Sequence, residues 1–185
     1  RNLPKTTLLC LDEAYIDFLD THLIPKISLN TKNVIRMRTF SKAYGMAGLR
    51  VGYAIGEKEL ILNFEKIRNH FGMSRVSQVG ALAALEDNEF INKVVNKVAL
   101  TRSRIADIAT RNNCKFIPSF TNFVAIDCLN DSKFAKRVLD NLINKGVFVR
   151  MPYSFPQNRC IRVTVGLDKD IDLFEKYFPI AIKES

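Results

Sequence analysis

Apolar positions arrive in three strand-length runs over the first sixty residues: 6–11 (TTLLCL), 33–40 (NVIRMRTF) and 49–56 (LRVGYAIG). The first has no polar alternation, which predicts a strand covered on both faces, as in an α/β sheet. The pattern then changes period. Leu60, Ile61, Phe64, Ile67 and Phe71 recur at helical spacing and predict a helix over 59–71. Ser74 or Ser77 is placed to cap the next helix, whose core QVGALAALED is rich in alanine and leucine. A third helix is predicted over 88–112, with Phe90, Val94, Val98, Ile105 and Ile108 along one side, long enough to link two domains. Beyond it come KFIP, TNFVAIDC, a helix over 132–144, GVFVR, CIRVTVG and a last helix from Asp168. That strand–strand–helix–strand–strand–helix order predicts a small two-layer α+β domain. The expected division is therefore an α/β domain over 1–87, a linking helix over 88–112 and a small α+β domain over 113–185.

Composition fits a globular protein: 47% hydrophobic and 25% charged over 185 residues. The 28 basic residues outnumber 19 acidic ones, for a formal charge of +9. They are scattered, with no run of five like charges and no aromatic–basic stripe, so a solvated basic surface is expected and nucleic acid is not an expected partner. Cys10, Cys128 and Cys160 lie in apolar runs, Cys114 lies apart, and no C-x-x-C occurs. They read as small buried hydrophobes in a reducing compartment, not as disulfides or zinc ligands. His22 and His70 are isolated, so no metal site is expected. No apolar stretch has membrane-spanning length and no signal peptide is visible, which makes the cytoplasm the expected location. The chain opens at Arg1 and runs at once into a buried-type strand, suggesting a fragment of a longer protein.

Two polar positions interrupt the strand pattern where ligands of open α/β sheets bind, beyond the carboxyl ends of strands. Asp12 follows the first run directly; taken alone, it reads rather as a loop carboxylate capping a turn. Tyr15, three residues on, is by itself an amphipathic aromatic. Lys42 stands in TFSKAYGMAGLR, among Ser41, Ala43, Gly45, Ala47 and Gly48, small residues that allow close backbone approach to a bulky ligand. Arg50 heads the third run, where a charge needs a partner. A serine, a lysine and an arginine around such a turn suit a phosphate, and a lysine among cations, partly desolvated, becomes nucleophilic. No P-loop pattern occurs. Arg150 and Arg162 each belong to an apolar strand, as charges reaching to water or as ligands for an anion.

LDEAYIDF followed by RTFSKAYGMAGLRVGYAIG, with TNFVAID and IRVTVG later, strongly resembles the histidinol-phosphate aminotransferase family of fold type I pyridoxal-phosphate enzymes. The similarity covers essentially all 185 residues but only the second part of a family chain. It implies the rest of a large, mostly parallel cofactor-binding domain followed by a small C-terminal α+β domain, with pyridoxal 5'-phosphate as cofactor. It also implies a role for each residue. Lys42 is the Schiff-base lysine and later the proton shuttle. Asp12 pairs with the pyridine nitrogen, Tyr15 with the ring oxygen, and Ser41 and Arg50 with the 5'-phosphate. Arg150 and Arg162 bind the anionic end of the substrate, histidinol phosphate or imidazole-acetol phosphate in one half-reaction, glutamate or 2-oxoglutarate in the other. A homodimer is implied. An aromatic or broad-specificity aminotransferase and threonine-phosphate decarboxylase share this framework; a non-catalytic folding or dimerisation module is a further alternative. Family elements expected ahead of Arg1, including a glycine turn for the phosphate and an aromatic over the ring, imply that these 185 residues alone are catalytically incomplete.

Overall fold

The computed structural model describes residues 3–4 and 6–185. They form two compact units, one up to Val95 and the other from Asn96 to Ser185.

In the first unit, β1 (Leu9–Asp12), β2 (Val34–Thr39) and β3 (Gly52–Gly56) form a sheet in that order. β1 and β2 run parallel, with Leu11 opposite Arg36 and Asp12 opposite Met37. β3 returns antiparallel to β2. The parallel pairing brings the carboxyl ends of β1 and β2 to the same edge of the sheet. The expectation that the first run is covered on both faces is corrected. Leu9 and Leu11 are half-buried, whereas Cys10 and Asp12 are exposed, because strand neighbours point to opposite faces and one face of β1 is uncovered. Cys10 is thus not the buried hydrophobe expected, while Cys114, Cys128 and Cys160 are buried.

Two helices follow: α1 (Lys58–Leu62) and α2 (Arg75–Glu86). The helix expected over 59–71 is shorter. α1 tightens into a 3₁₀ turn at Asn63–Lys66, and Ile67 and Phe71 beyond it are 82% and 96% exposed. Periodicity with no surface to pack against does not sustain a helix that short. At α2 the cap is Ser74, whose Oγ accepts the Ser77 N–H at 3.0 Å. Ser77, Gly80, Ala81 and Ala84 are its better-covered positions, and a small core forms where Phe40, Val51 and Ala81 meet Tyr44, Leu49 and Tyr53. Phe40 is flanked by the rings of Tyr44 and Tyr53, 4.9 and 5.7 Å between centroids.

The unit boundary falls within α3 (Asn88–Arg111). In the second unit β4 (Lys115–Ile117), β5 (Phe123–Asp127) and β6 (Cys160–Thr164) form an antiparallel sheet in chain order, with α4 (Ser132–Asn144) and α5 (Asp168–Lys183). Its core joins Ile105 and Ile108 of α3, Val124 and Ile126 of β5, Val138 and Leu142 of α4, Ile161 of β6, and Phe174 and Phe178 of α5. The strand expected at GVFVR reduces to one bridge. Arg150 donates its N–H to the Arg162 carbonyl at 3.1 Å and accepts the Arg162 N–H in return. Beyond that bridge the chain leaves the sheet, where continued pairing would set Pro152, which has no N–H to give, opposite Cys160.

Candidate active site

The carboxyl edge of β1 and β2 carries most of the chemistry anticipated for the first unit. Asp12 ends β1, and its Oδ1 accepts the Ala14 N–H at 3.0 Å, so the carboxylate shapes the turn that leads to Tyr15. Tyr15 and Lys42 are brought together: the Lys42 Nζ lies 5.2 Å from the centre of the Tyr15 ring. A cation over a phenol face is attracted by the ring quadrupole. Lys42 itself is half-buried, between exposed Gly45 and buried Phe40.

The Lys42 turn is fixed by its own backbone. The Lys42 carbonyl accepts from Gly45 at 3.0 Å, and the Phe40 carbonyl accepts from Met46 at 2.9 Å. Gly45 has φ +69°, a conformation that suits glycine. Ser41 donates its N–H to Thr39 Oγ1 at 3.1 Å, which settles the start of the turn. Its end is Arg50, left-handed at φ 50°, with Nη1 donating to the Ala47 carbonyl at 2.8 Å. A left-handed arginine costs about 1–3 kcal/mol relative to a relaxed backbone, and such strain gathers at functional positions.

Two features supporting this turn escaped the sequence reading. Ser77 is buried and donates its hydroxyl to the Leu49 carbonyl at 2.7 Å, tying the start of α2 to the turn. A Cβ on Gly80 would sit 3.2 Å from Leu49 Cδ1 and Met46 Cε, so glycine allows α2 its approach. Their signal was the spacing of small residues at 77, 80, 81 and 84 in an otherwise Leu- and Val-rich helix.

Glu13 was also missed. It is 8% exposed and takes the Arg36 Nε at 2.6 Å on one oxygen and the Arg38 Nε at 2.9 Å on the other. Burial alone would push its carboxyl up, but the hydrogen bonds from Arg36 and Arg38 outweigh this and hold it below the ordinary glutamate range. Asp17 shows the opposite balance: burial raises its carboxyl, and the charge of Arg38 offsets this only in part. Burial and the neighbouring Asp17 push the Tyr44 phenol up.

Arg150 and Arg162 are brought together in the second unit, across their shared backbone bridge. Both line a cleft of about 1030 Å³, with Lys133, Lys136 and Arg137 of α4 adding charge; among the described residues no acidic one lines it. The Arg162 guanidinium lies 4.8 Å over the Phe123 ring, and its Nε is buried without a hydrogen-bond acceptor. Arg150 is exposed. Among the described residues no group of three or more His, Cys, Asp or Glu is arranged to hold a metal ion, and no helix is long and apolar enough to cross a membrane.

Known proteins match this arrangement closely. The family described as aminotransferase class I and II matches residues 3–173. Histidinol-phosphate aminotransferase of Aliarcobacter butzleri is 36% identical over 172 residues, covering 90% of this chain and 46% of that protein. Its counterpart in Bacillus pumilus is 39% identical over 167 residues, covering 89% and 45%. The crystal structure of histidinol-phosphate aminotransferase from Sinorhizobium meliloti, in complex with pyridoxal-5'-phosphate, superposes with a TM-score of 0.94 at 45% identity, over 98% of this chain and 50% of that one. The chain thus spans about half the length of the relatives it matches. With the family matched along most of its length, the chain belongs to the class I and II aminotransferases.

Proposed function

We propose that the chain is the lysine-bearing part of a pyridoxal 5'-phosphate-dependent enzyme that moves an amino group between histidinol phosphate and 2-oxoglutarate, giving imidazole-acetol phosphate and glutamate. The observation that carries this reading is the shared edge of β1 and β2, where Asp12 and the Lys42 turn leave parallel neighbours and Lys42 lies against Tyr15.

The residues there fit the cofactor chemically. They supply a carboxylate for a protonated ring nitrogen (Asp12), a phenol for the ring oxygen (Tyr15) and an amine for the aldehyde carbon (Lys42). Ser41 and Arg50 supply a hydroxyl and a guanidinium for the phosphate. When bound, the cofactor supplies an electron sink for negative charge developing at the substrate α-carbon. Asp12 keeps the ring nitrogen charged. Lys42 would hold the cofactor through its amine and would move a proton at the substrate α-carbon as general acid and base. Tyr15 donates to the ring oxygen and keeps Lys42 close. Arg50, whose guanidinium donates to the Ala47 carbonyl in this structure, would hold the phosphate.

Arg162, with Arg150, binds the anionic end of the substrate. A buried guanidinium N–H without an acceptor favours an incoming oxyanion, and the fork geometry of arginine suits phosphate and carboxylate alike. The basic lining of the cleft supports the same assignment. The proposal includes a homodimer working in the cytoplasm.

The direct test is to incubate the chain with excess pyridoxal phosphate, reduce with borohydride and map the peptides. A pyridoxyl adduct on Lys42 is expected, and its absence there refutes the proposal. Initial rates of the full-length protein, of which this chain is the lysine-bearing part, with histidinol phosphate, phenylalanine and threonine phosphate then test the substrate. Fastest amino transfer from histidinol phosphate is expected. Preference for phenylalanine, or release of carbon dioxide from threonine phosphate, would reassign it within the family.

A further inference from the structure

We propose that Glu13, clamped by Arg36 and Arg38, is a positioning residue that decides which of two adjacent carboxylates faces the open side of the sheet, and so keeps Asp12 there. The inference rests on the reading of Asp12 as the partner of the cofactor ring nitrogen.

The choice is not made by hydrophobicity. Residues 8–11 read LLCL, apolar at every position, so turning β1 over would exchange leucines for a leucine and a cysteine at little cost. The two polar residues that follow are both acids. A slip of one residue in pairing sends every side chain to the opposite face and would present Glu13 where Asp12 now stands. Glutamate there carries its carboxylate one methylene further from the backbone.

The neighbouring strand distinguishes the two acids. Arg36 and Arg38 lie two apart on β2, on the face shared by Leu9 and Leu11, and the register that sets Leu11 opposite Arg36 carries Glu13 alongside Arg38. The Glu13 N–H donates to the Met37 carbonyl at 2.8 Å, extending the ladder one residue past β1. Its carboxylate then bridges both arginines at 2.6 and 2.9 Å. In the other arrangement two half-buried guanidinium groups would face the shorter Asp12. On the opposite face Ile35 is buried, whereas Cys10, Asp12 and Met37 are exposed.

The experiment uses the 185-residue chain. Cys10 lies on the Asp12 face and the other three cysteines are buried, so N-ethylmaleimide at Cys10 and carbodiimide coupling at Asp12, both read by peptide mapping, report the facing of β1. The wild-type chain is expected to label Cys10 in one fast phase. Glu13→Gln is expected to add a second phase at least about tenfold slower, with coupling at Asp12 falling in proportion, while circular dichroism shows a folded chain. Glu13→Asp, which restores the charge, is expected to shrink the slow phase. Arg36→Gln keeps the Arg38 pairing and provides a milder variant should Glu13→Gln not fold. A folded variant that labels as the wild type does, or one that labels uniformly faster, overturns the proposal. The pyridoxyl adduct at Lys42 is measured in parallel on the wild type. Its absence overturns the cofactor reading and leaves the facing result standing; its presence with unchanged facing overturns the clamp alone.

Discussion

Among the ionisable side chains near Lys42, Asp17 works against the fold at neutral pH while Glu13 works for it. The Asp17 carboxyl is raised, first by burial, so its favourable contribution is complete below the unfolded-state value and is lost as pH rises through the folded one. Glu13 is lowered, so its contribution is complete above the unfolded-state value and disappears as pH falls through the folded one. Asp17→Asn is therefore expected to raise the melting midpoint at pH 7, with the gain closing as the pH drops below the ordinary aspartate range; thermal melts at stepped pH check this. No gain at pH 7 would mean that Arg38 compensates the charge in full. The difference in legibility between these residues has a physical origin. Lys42 and Asp12 were visible because each follows an apolar run and breaks it. Glu13 and Asp17 carry no such mark, since burial and ion pairing depend on residues more than twenty positions away on β2.

At the level of elements, legibility tracked whether an apolar face found a partner. α4 was read correctly over 132–144 because Ala135, Val138 and Leu142 fall on one face and all pack into the core. Its start is held by Asp131, whose Oδ1 accepts the Phe134 N–H at 2.8 Å. Asp131→Ala is expected to cost about 1 kcal/mol in chemical denaturation, the usual loss for an N-cap. In α3, Ile105 is fully buried, and Ile105→Ala is expected to cost about 2–5 kcal/mol by the same measurement, with a cavity as the cause. A cost below 1 kcal/mol would mean that the core closes around the gap. The 59–71 segment failed as a prediction because Phe64, Ile67 and Phe71 remain exposed. GVFVR failed as a strand because, of the run, Arg150 alone bridges to β6, at Arg162.

For the molecule as a whole, α2 is turned inside out. Its small residues are covered, while Val76, Val79, Leu82 and Leu85 are 69%, 69%, 61% and 48% exposed at three-residue spacing. Leu62, Phe64, Ile67 and Phe71 extend the exposed apolar surface along the chain. Soluble proteins rarely leave so many large apolar side chains in water. The 185-residue chain is expected to enhance the fluorescence of an apolar dye such as anilinonaphthalene sulfonate, and Val79→Lys with Leu82→Lys is expected to remove much of that signal. An unchanged signal would show that the dye binds elsewhere. The α/β character was legible from the runs, whereas the facing of α2 was not, because alanine and leucine at helical spacing do not say which of them points inward.

The division of the chain within α3 gives one helix two kinds of surroundings. All of its buried positions, from Val98 to Ala109, lie in the part beyond Val95. Its backbone hydrogen bonds run on across that point, but the burial that protects them does not. Amide hydrogens over the first two turns should exchange with deuterium under native conditions far sooner than those around Ile105, giving a protection step in the middle of an unbroken helix. The step would mark where the second unit opens as a cooperative body, and Ile105→Ala should lower protection on its C-terminal side alone.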